Sequence, residues 1–285
     1  MKRRTYDGLR RDIELSINEL IQNKTEDQWD ENSITHDLIE VLRDSLDDIE
    51  IIGDHYKTKI KCSAYKLKSV AEQKHGDITI IIRIRYADGD LFTGVAYLEA
   101  KKKKWNGRIY DEISQKQSEE IMRHTRNAYF LLYDHEPAQL QINMAGVFEK
   151  YWDDDLSCFV CRNLDVAYTH ASVTPMNYLR KIPADTNARI SRVSRTRPKF
   201  RVLKKDCDLY KFAQPFSYQF CFRYLQGLDL ELDPKRIAAI LHHEKRVGIP
   251  HNIISFSIAQ GGYSAPEQDD LINTDLYRKR QNQSG

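Results

Sequence analysis

The sequence predicts an α/β fold in which helices flank a mixed central sheet, with a smaller α/β extension toward the C-terminus. Three patterns lead to this prediction. An amphipathic stretch over residues 29–48 precedes two strand-like runs at residues 78–84 and 91–98. A second helical stretch over residues 109–125 leads into a short apolar run at residues 128–133. Helices and strands that follow one another in this way are typical of a sheet covered by helices.

The first helix is predicted near the N-terminus, where Leu9, Ile13, Ile17 and Leu20 recur at helical spacing. This stretch lacks the apolar centre of a signal peptide. No apolar run in the sequence approaches the eighteen residues that a membrane-spanning helix needs. The five cysteines are an odd number in a chain without a secretory signal, which favours reduced thiols. We therefore expect a cytoplasmic protein without membrane contact.

The second helix, over residues 29–48, carries one acidic residue on its apolar side. Ile34, Leu38 and Leu42 belong to the apolar stripe of this helix, and Glu31 lies three and seven residues before the first two of them. A carboxylate on a buried face needs a partner, and a metal ion is one candidate. The alternative is that Glu31 is a first-turn acid favoured by the helix dipole.

The two strand-like runs end next to charged residues. β-Branched residues dominate residues 78–84, directly after Asp77, and the uncharged run at residues 91–98 is followed by Glu99. Side chains two residues apart in a strand lie on the same face, roughly 6.6 Å apart. Glu99 and Lys101 are therefore predicted to point the same way. Two carboxylates from adjacent strands plus one ammonium group suit a site for Mg²⁺ (or Mn²⁺) and a scissile phosphate.

Asp77, Glu99 and Lys101 resemble the signature of the PD-(D/E)xK nuclease superfamily, which has the restriction-endonuclease-like fold. Gly76 stands where the signature has proline, and the resemblance covers roughly residues 26–135. It implies an αβββαβ core with its first strand between residues 49 and 68. It also implies DNA as substrate and a metal shell that includes the carbonyl group of Ala100.

The helix predicted over residues 109–125 has an inner stripe formed by Ile109, Ile113 and Ile121, and Gln117 falls on that stripe. In the family that the chain resembles, a Gln or Lys on this helix often faces the active site. Gln117 is therefore a candidate catalytic residue. The alternative is that its amide caps the carbonyl groups of the strands below.

Two basic segments are candidates for contact with a phosphate backbone. Residues 189–205 contain eight Lys or Arg residues and no acid, although the whole chain has a formal net charge of only +2. The second segment follows Lys101 directly. The candidate residues in the two segments are Arg192, Arg195, Arg197, Lys199, Arg201, Lys102, Lys103, Lys104 and Arg108. The alternative for each segment is a solvated basic loop.

The sequence suggests four successive regions. We predict a nuclease-like domain with its N-terminal helix at residues 1–170, a basic connecting segment at 171–205, a C-terminal α/β subdomain at 206–265 and a polar tail at 266–285. Within the subdomain, alternating residues predict a strand at 228–233 and an Asp-Pro pair predicts a helix that begins at Pro234. A further strand is predicted at 252–259. This subdomain shows no catalytic pattern.

Together these features predict a metal-dependent nuclease that hydrolyses DNA phosphodiester bonds. Prokaryotic restriction or anti-phage defence is what the family resemblance implies about its setting. The alternative is a catalytically silent subunit that binds nucleic acid or a protein partner in a defence or repair complex. The partners that the sequence leaves open are a helicase, an ATPase or another defence-system subunit, and a second copy of the chain.

Overall fold

A computed structural model describes most of the chain. The described residues are 2–53, 56–67, 76–107, 110, 115–125, 127–140, 167–179, 209–210, 213–241, 250–266, 272 and 276–280. The helices are α1 Tyr6–Gln22, α2 Glu31–Leu46, α3 Gln115–His124, α4 Met176–Leu179, α5 Phe216–Phe222 and α6 Pro234–Leu241. Short 3-10 turns lie at Glu26–Gln28 and Tyr224–Gln226. The strands are β1 Lys2–Arg4, β2 Ile49–Ile52, β3 Lys57–Leu67, β4 Ile78–Arg85, β5 Leu91–Lys102, β6 Ala128–Leu140, β7 Ala167–Pro175, β8 Gln214–Pro215, β9 Asn252–Gln260 and β10 Tyr277–Lys279.

These ten strands form a single mixed sheet flanked by helices. Nine of them lie in the order β1-β2-β3-β9-β4-β5-β6-β7-β8, and β10 pairs with β3. Strands β4 and β5 are antiparallel, whereas β5 and β6 are parallel. The predicted class, α/β with a mixed central sheet flanked by helices, is therefore confirmed.

Helices α1 and α2 cover one face of the sheet because their apolar stripes match it. Leu9, Ile13 and Ile17 of α1 and Leu38 and Leu42 of α2 are buried in one cluster with the strands beneath them. Each helix begins at a capped residue: Thr5 Oγ1 accepts a hydrogen bond from the Gly8 amide at 3.0 Å, and Asp30 Oδ2 accepts one from the Ser33 amide at 2.9 Å. Both N-terminal helices were predicted from their spacing. In the described residues, no helix is both long and apolar enough to cross a membrane.

The opposite face of the sheet has a second apolar cluster. Tyr97 of β5, Phe130 of β6, Tyr65 of β3 and Ile121 of α3 are buried in it. Alternation along β5 puts Leu98 and Ala100 in the cluster under α1 and α2, whereas Tyr97 belongs to this second cluster. Glu99 and Lys101 therefore share the face of Tyr97, as the sequence predicted.

The C-terminal residues differ from the predicted separate subdomain. Strand β9 lies in the middle of the sheet, where it pairs antiparallel with β3 and parallel with β4. The predicted tail contains β10, which pairs with β3 through Tyr277–Lys279. These residues join the main sheet because their apolar side chains are buried there and not in a core of their own.

Several element boundaries also differ from the predictions. The predicted strand at residues 228–233 is reduced to one bridge between Glu231 and Val95. Tyr110 forms a bridge with Lys103, so the helix predicted from Ile109 does not include it, and α3 is described from Gln115. Strand β6 continues to Leu140, well beyond the predicted residue 133, because it pairs with β7 along both halves. The helix that begins at Pro234 and the strand at 252–259 are confirmed.

Candidate active site at the ends of strands β4 and β5

Asp77 is held at the start of β4 by a turn that requires glycine. Gly76 has a φ of +77°, and a Cβ atom there would lie 2.8 Å from the carbonyl oxygen of Leu98. The Asp77 amide donates to that same Leu98 carbonyl at 2.9 Å. The amide of Ala100 donates to Asp77 Oδ2 at 2.8 Å. The Asp77 carboxylate is therefore fixed against the backbone of β5, and the close approach explains why Gly precedes it.

Glu99 and Lys101 form a buried ion pair beside Asp77. Their residues are only 3% and 8% exposed, and Lys101 Nζ lies 2.7 Å from Glu99 Oε1. Both belong to the last residues of β5, past the point where β4 begins with Ile78 opposite Leu98. The strand positions bring the three side chains of the predicted signature together at one end of the β4–β5 pair.

Glu31 approaches the same ammonium group from helix α2. It is the first residue of α2, and its Oε1 lies 3.7 Å from Lys101 Nζ. Its side chain is 23% exposed. Glu31 is thus near the site, although it is only partly buried and does not lie fully on the apolar face that the sequence predicted.

The pKa values of the site residues are shifted because several carboxylates lie close together in a buried environment. Burial raises the pKa of Glu99 to about 7, with the Asp77 charge adding to the rise and Lys101 opposing it. Burial also raises the pKa of Asp77, against the attraction of Lys101. For Lys101, burial alone would lower the pKa, but Glu99 and Glu31 outweigh it and the pKa is raised. The ammonium form is therefore the stable form of Lys101 near neutral pH.

Whether these residues fit a divalent cation depends on the donor set. In the described part of the chain, no group of three or more His, Cys, Asp or Glu side chains is arranged to hold a metal ion. Mg²⁺, however, is commonly held by one or two carboxylates together with water and substrate phosphate oxygens, and it needs no complete protein cage. Asp77 and Glu99 supply two hard oxygen donors whose mutual repulsion a cation would relieve. The donor set thus fits Mg²⁺ or Mn²⁺.

Three further residues that the sequence did not single out adjoin this site. Thr35 lies one turn along α2 from Glu31, and its hydroxyl group is hydrogen-bonded at 3.1 Å to the hydroxyl group of Tyr133 on β6. Burial raises the pKa of Tyr133, and the nearby Asp77 and Glu31 charges add to the rise. The amide side chain of Asn252 on β9 donates to the backbone carbonyl of Asp77 at 3.2 Å. The signals for these residues are tertiary contacts, which local spacing does not reveal.

Gln117 lies within α3, four residues before the buried Ile121. The side chain of Gln117 is outside the described part of the structure. Its predicted role facing the site therefore stays a prediction.

The short basic segment is largely engaged within the protein. Lys103 is 4% exposed, and its Nζ contacts Asp134 Oδ2 at 2.8 Å, which contradicts its predicted role as a phosphate-binding residue on the surface. Its position two residues after Lys101 directs its side chain to the buried face of β5. Lys102 Nζ donates to the Trp29 carbonyl at 2.6 Å, and Lys104 is exposed.

Arg108 and the whole basic stretch at residues 189–205 lie outside the described residues. The candidate phosphate-binding residues in that stretch are Arg192, Arg195, Arg197, Lys199 and Arg201, and they remain predictions from the sequence.

Comparison with known proteins found no relative of this chain. No family model, no curated protein and no solved structure matches the chain.

Proposed function

We propose that the protein is a metal-dependent nuclease with a restriction-endonuclease-like core and that it hydrolyses DNA phosphodiester bonds. The observation that carries the proposal is the convergence of Asp77, Glu99 and Lys101, with Lys101 Nζ 2.7 Å from Glu99 and 3.7 Å from Glu31. Asp77 and Glu99 are two carboxylates beside one buried ammonium group, and burial and the Asp77 charge raise the pKa of Glu99 despite the ion pair with Lys101. Buried groups with a pKa shifted in this way are concentrated at functional sites. Their place at the end of two adjacent strands supports a functional reading.

The residues divide the chemical work. Asp77, Glu99 and the carbonyl of Ala100 would hold Mg²⁺ or Mn²⁺, with Glu31 as a further candidate ligand. When bound, the cation would act as a Lewis acid on the scissile phosphate. The hydrogen bond from the Ala100 amide keeps Asp77 Oδ2 in a fixed orientation. A preorganised carboxylate of this kind loses little entropy when it binds.

The charge state of Lys101 supports an electrostatic role. Its raised pKa keeps Nζ protonated, because the Glu99 and Glu31 carboxylates outweigh the effect of burial. An ammonium group can orient the attacking water and offset the negative charge that develops on the pentavalent phosphate. Deprotonation of the attacking water by Lys101, the alternative role, would require its amine form.

The test is a cleavage assay with purified protein on supercoiled, linear and single-stranded DNA and on RNA, each with Mg²⁺, Mn²⁺ or EDTA. We expect cleavage of DNA with either cation and none with EDTA. Glu99→Gln and Lys101→Ala should each lower the rate at least about 10²-fold, as does removal of one preorganised stabilising group. Glu19→Gln and Lys59→Ala are matched controls, since both residues are exposed and far from the motif in sequence.

Binding and folding must be measured with the same variants. Loss of one partner of the buried Glu99–Lys101 pair will lower the stability of these variants, so circular dichroism must show that each is still folded at the assay temperature. DNA binding close to that of the wild type then shows that lost cleavage reports lost chemistry, and Asp77→Asn provides a further variant of unchanged size. Cleavage at the wild-type rate by Glu99→Gln or Lys101→Ala would contradict the site assignment. Salt-dependent DNA binding without cleavage under any condition would favour a catalytically silent binding subunit instead.

A further inference from the structure

The backbone of Asp77 is held from the side opposite its carboxylate contact. Its carbonyl oxygen accepts two hydrogen bonds from Asn252, one from the backbone amide at 3.1 Å and one from Nδ2 at 3.2 Å. Asn252 is the first residue of β9 and is 4% exposed. Because Ala100 holds the Asp77 carboxylate and Asn252 holds its carbonyl, both ends of the residue are constrained.

Arg280 determines which way the Asn252 amide points. Its Nη2 donates to Asn252 Oδ1 at 2.8 Å, while its Nη1 donates to Glu40 Oε1 at 2.9 Å. A guanidinium group has donors and no acceptor, so it requires the oxygen of the amide on its side. The NH₂ group of Asn252 must then face the Asp77 carbonyl. The orientation of the amide is thus set by its partners on both sides.

The pairing of β10 with β3 fixes the backbone position of Arg280. Tyr277–Lys279 pair with β3, and the Arg280 amide continues the ladder by donating to the Ala64 carbonyl at 2.8 Å. The Tyr277 hydroxyl donates to the Pro250 carbonyl at 2.8 Å, two residues before Asn252. The Arg280 side chain is 9% exposed, so it is largely withdrawn from solvent. The C-terminal strand therefore braces the segment that holds Asp77.

We propose that Arg280 is a positioning residue of the active site, acting on Asp77 through Asn252. The inference rests on the proposed nuclease function and extends it to residues of β9 and β10, which lie far along the chain from the motif. A residue that keeps a metal-binding carboxylate in place typically changes metal affinity or activity by about 10–100-fold when it is removed.

A purely stabilising role for Arg280 makes a different prediction. Its ion pair with Glu40, which also pairs with Arg43, would then be the important contact, and loss of either partner would act through stability alone. Glu40→Gln removes the charge of that pair but leaves the bond from Arg280 to Asn252 intact. Glu40→Gln should therefore lower the melting temperature without changing metal affinity, whereas Arg280→Gln should change both.

The experiment measures Mn²⁺ binding by calorimetry and DNA cleavage for the full-length protein and its variants. We expect Arg280→Gln and Asn252→Ala each to weaken Mn²⁺ binding and to lower kcat about 10-fold or more, with little change in KM for DNA. The double variant should be no worse than either single variant, because both act through one contact chain. Arg278→Gln is the matched control, an exposed arginine in β10 two residues before Arg280.

The outcomes separate this inference from the proposed function. If the wild type cleaves DNA and Arg280→Gln cleaves equally well, the positioning role is refuted while the nuclease stands. Equal losses of metal affinity in Glu40→Gln and Arg280→Gln would also refute it, since stability would then explain both. If the wild type binds Mn²⁺ but does not cleave, only the proposed function fails, and the Mn²⁺ affinities decide the role of Arg280. If the wild type neither binds Mn²⁺ nor cleaves, both proposals fail.

Discussion

Replacing Lys103 by Met should destabilise the protein far more than replacing its neighbour Lys104. Lys103 Nζ and Asp134 Oδ2 are 2.8 Å apart, and both side chains are 4% exposed. Removing the lysine leaves a buried carboxylate without its cation, and breaking a buried ion pair in this way costs about 3–5 kcal/mol. Lys104 is exposed, so its replacement should change stability by no more than about 0.5 kcal/mol.

The surroundings of Asp134 indicate the lower end of that range. Asp134 also accepts hydrogen bonds from the Tyr210 hydroxyl at 2.5 Å and from the Glu136 amide at 3.0 Å, and these remain after the change. We therefore expect a loss of about 3 kcal/mol. With an unfolding entropy of about 2.1 cal/mol/K per residue over 285 residues, this corresponds to a fall in melting temperature of about 5 °C.

Thermal and urea unfolding followed by circular dichroism measure both quantities, with Lys104→Met as the control. A loss below about 1 kcal/mol for Lys103→Met would refute the argument, since the pair would then contribute no more than an exposed one. DNA binding provides a second criterion. If Lys103→Met and Lys104→Met weakened binding equally without loss of stability, Lys103 would be a phosphate-contacting residue after all.

Two further predictions concern the turn at Gly76 and the basic stretch. Gly76→Ala should destabilise the protein by more than the roughly 1–2 kcal/mol of left-handed strain and should also reduce cleavage, because its Cβ would press on the Leu98 carbonyl and shift Asp77. Gly262→Ala, which has a positive φ but nothing within 4 Å, should show the strain alone, and equal losses of stability in both would contradict the steric part. The second change replaces Arg192, Arg195 and Arg197 together by Ala. It should weaken DNA binding and reduce the slope of log K against log salt by about 0.9 per lost phosphate contact. An unchanged affinity and slope in titrations at several salt concentrations would mean that the stretch is a solvated linker or binds protein.

The parts of the fold that local spacing determines could be predicted from the sequence. The apolar stripes of the first two helices and the β-branched run of β4 specify their own elements, because each repeats with the period of its structure. The same period of two predicted that Glu99 and Lys101 share a face. Applied two residues further, it would have put Lys103 on that buried face too. The predicted phosphate contact failed there because the chain stays extended past the end of β5 at Lys102, where Lys103 forms a bridge with Tyr110.

The position of the C-terminal strands could not be predicted in this way. Strand β9 has no charged residue on either face, which is a signal of a central strand. The choice of β3 and β4 as its neighbours depends on contacts between residues far apart in sequence, and no local pattern encodes it. The three residues of β10 are too short a run to stand out from polar surroundings. Asn252 and Arg280 were missed for this reason.

The insertion of β9 between β3 and β4 also dictates when the molecule can fold. Strands β3 and β4 are close in the chain. However, β9, which lies between them in the sheet and pairs with both, ends only at Gln260. During synthesis, the edges of β3 and β4 that pair with β9 stay unpaired until most of the polypeptide has left the ribosome. Contacts between residues so distant in sequence slow folding, and apolar edges left open for that time favour aggregation. We therefore expect the backbone around Asp77 to be among the last parts of the protein to reach its final geometry, and nascent chains that stop before residue 252 to depend on chaperones.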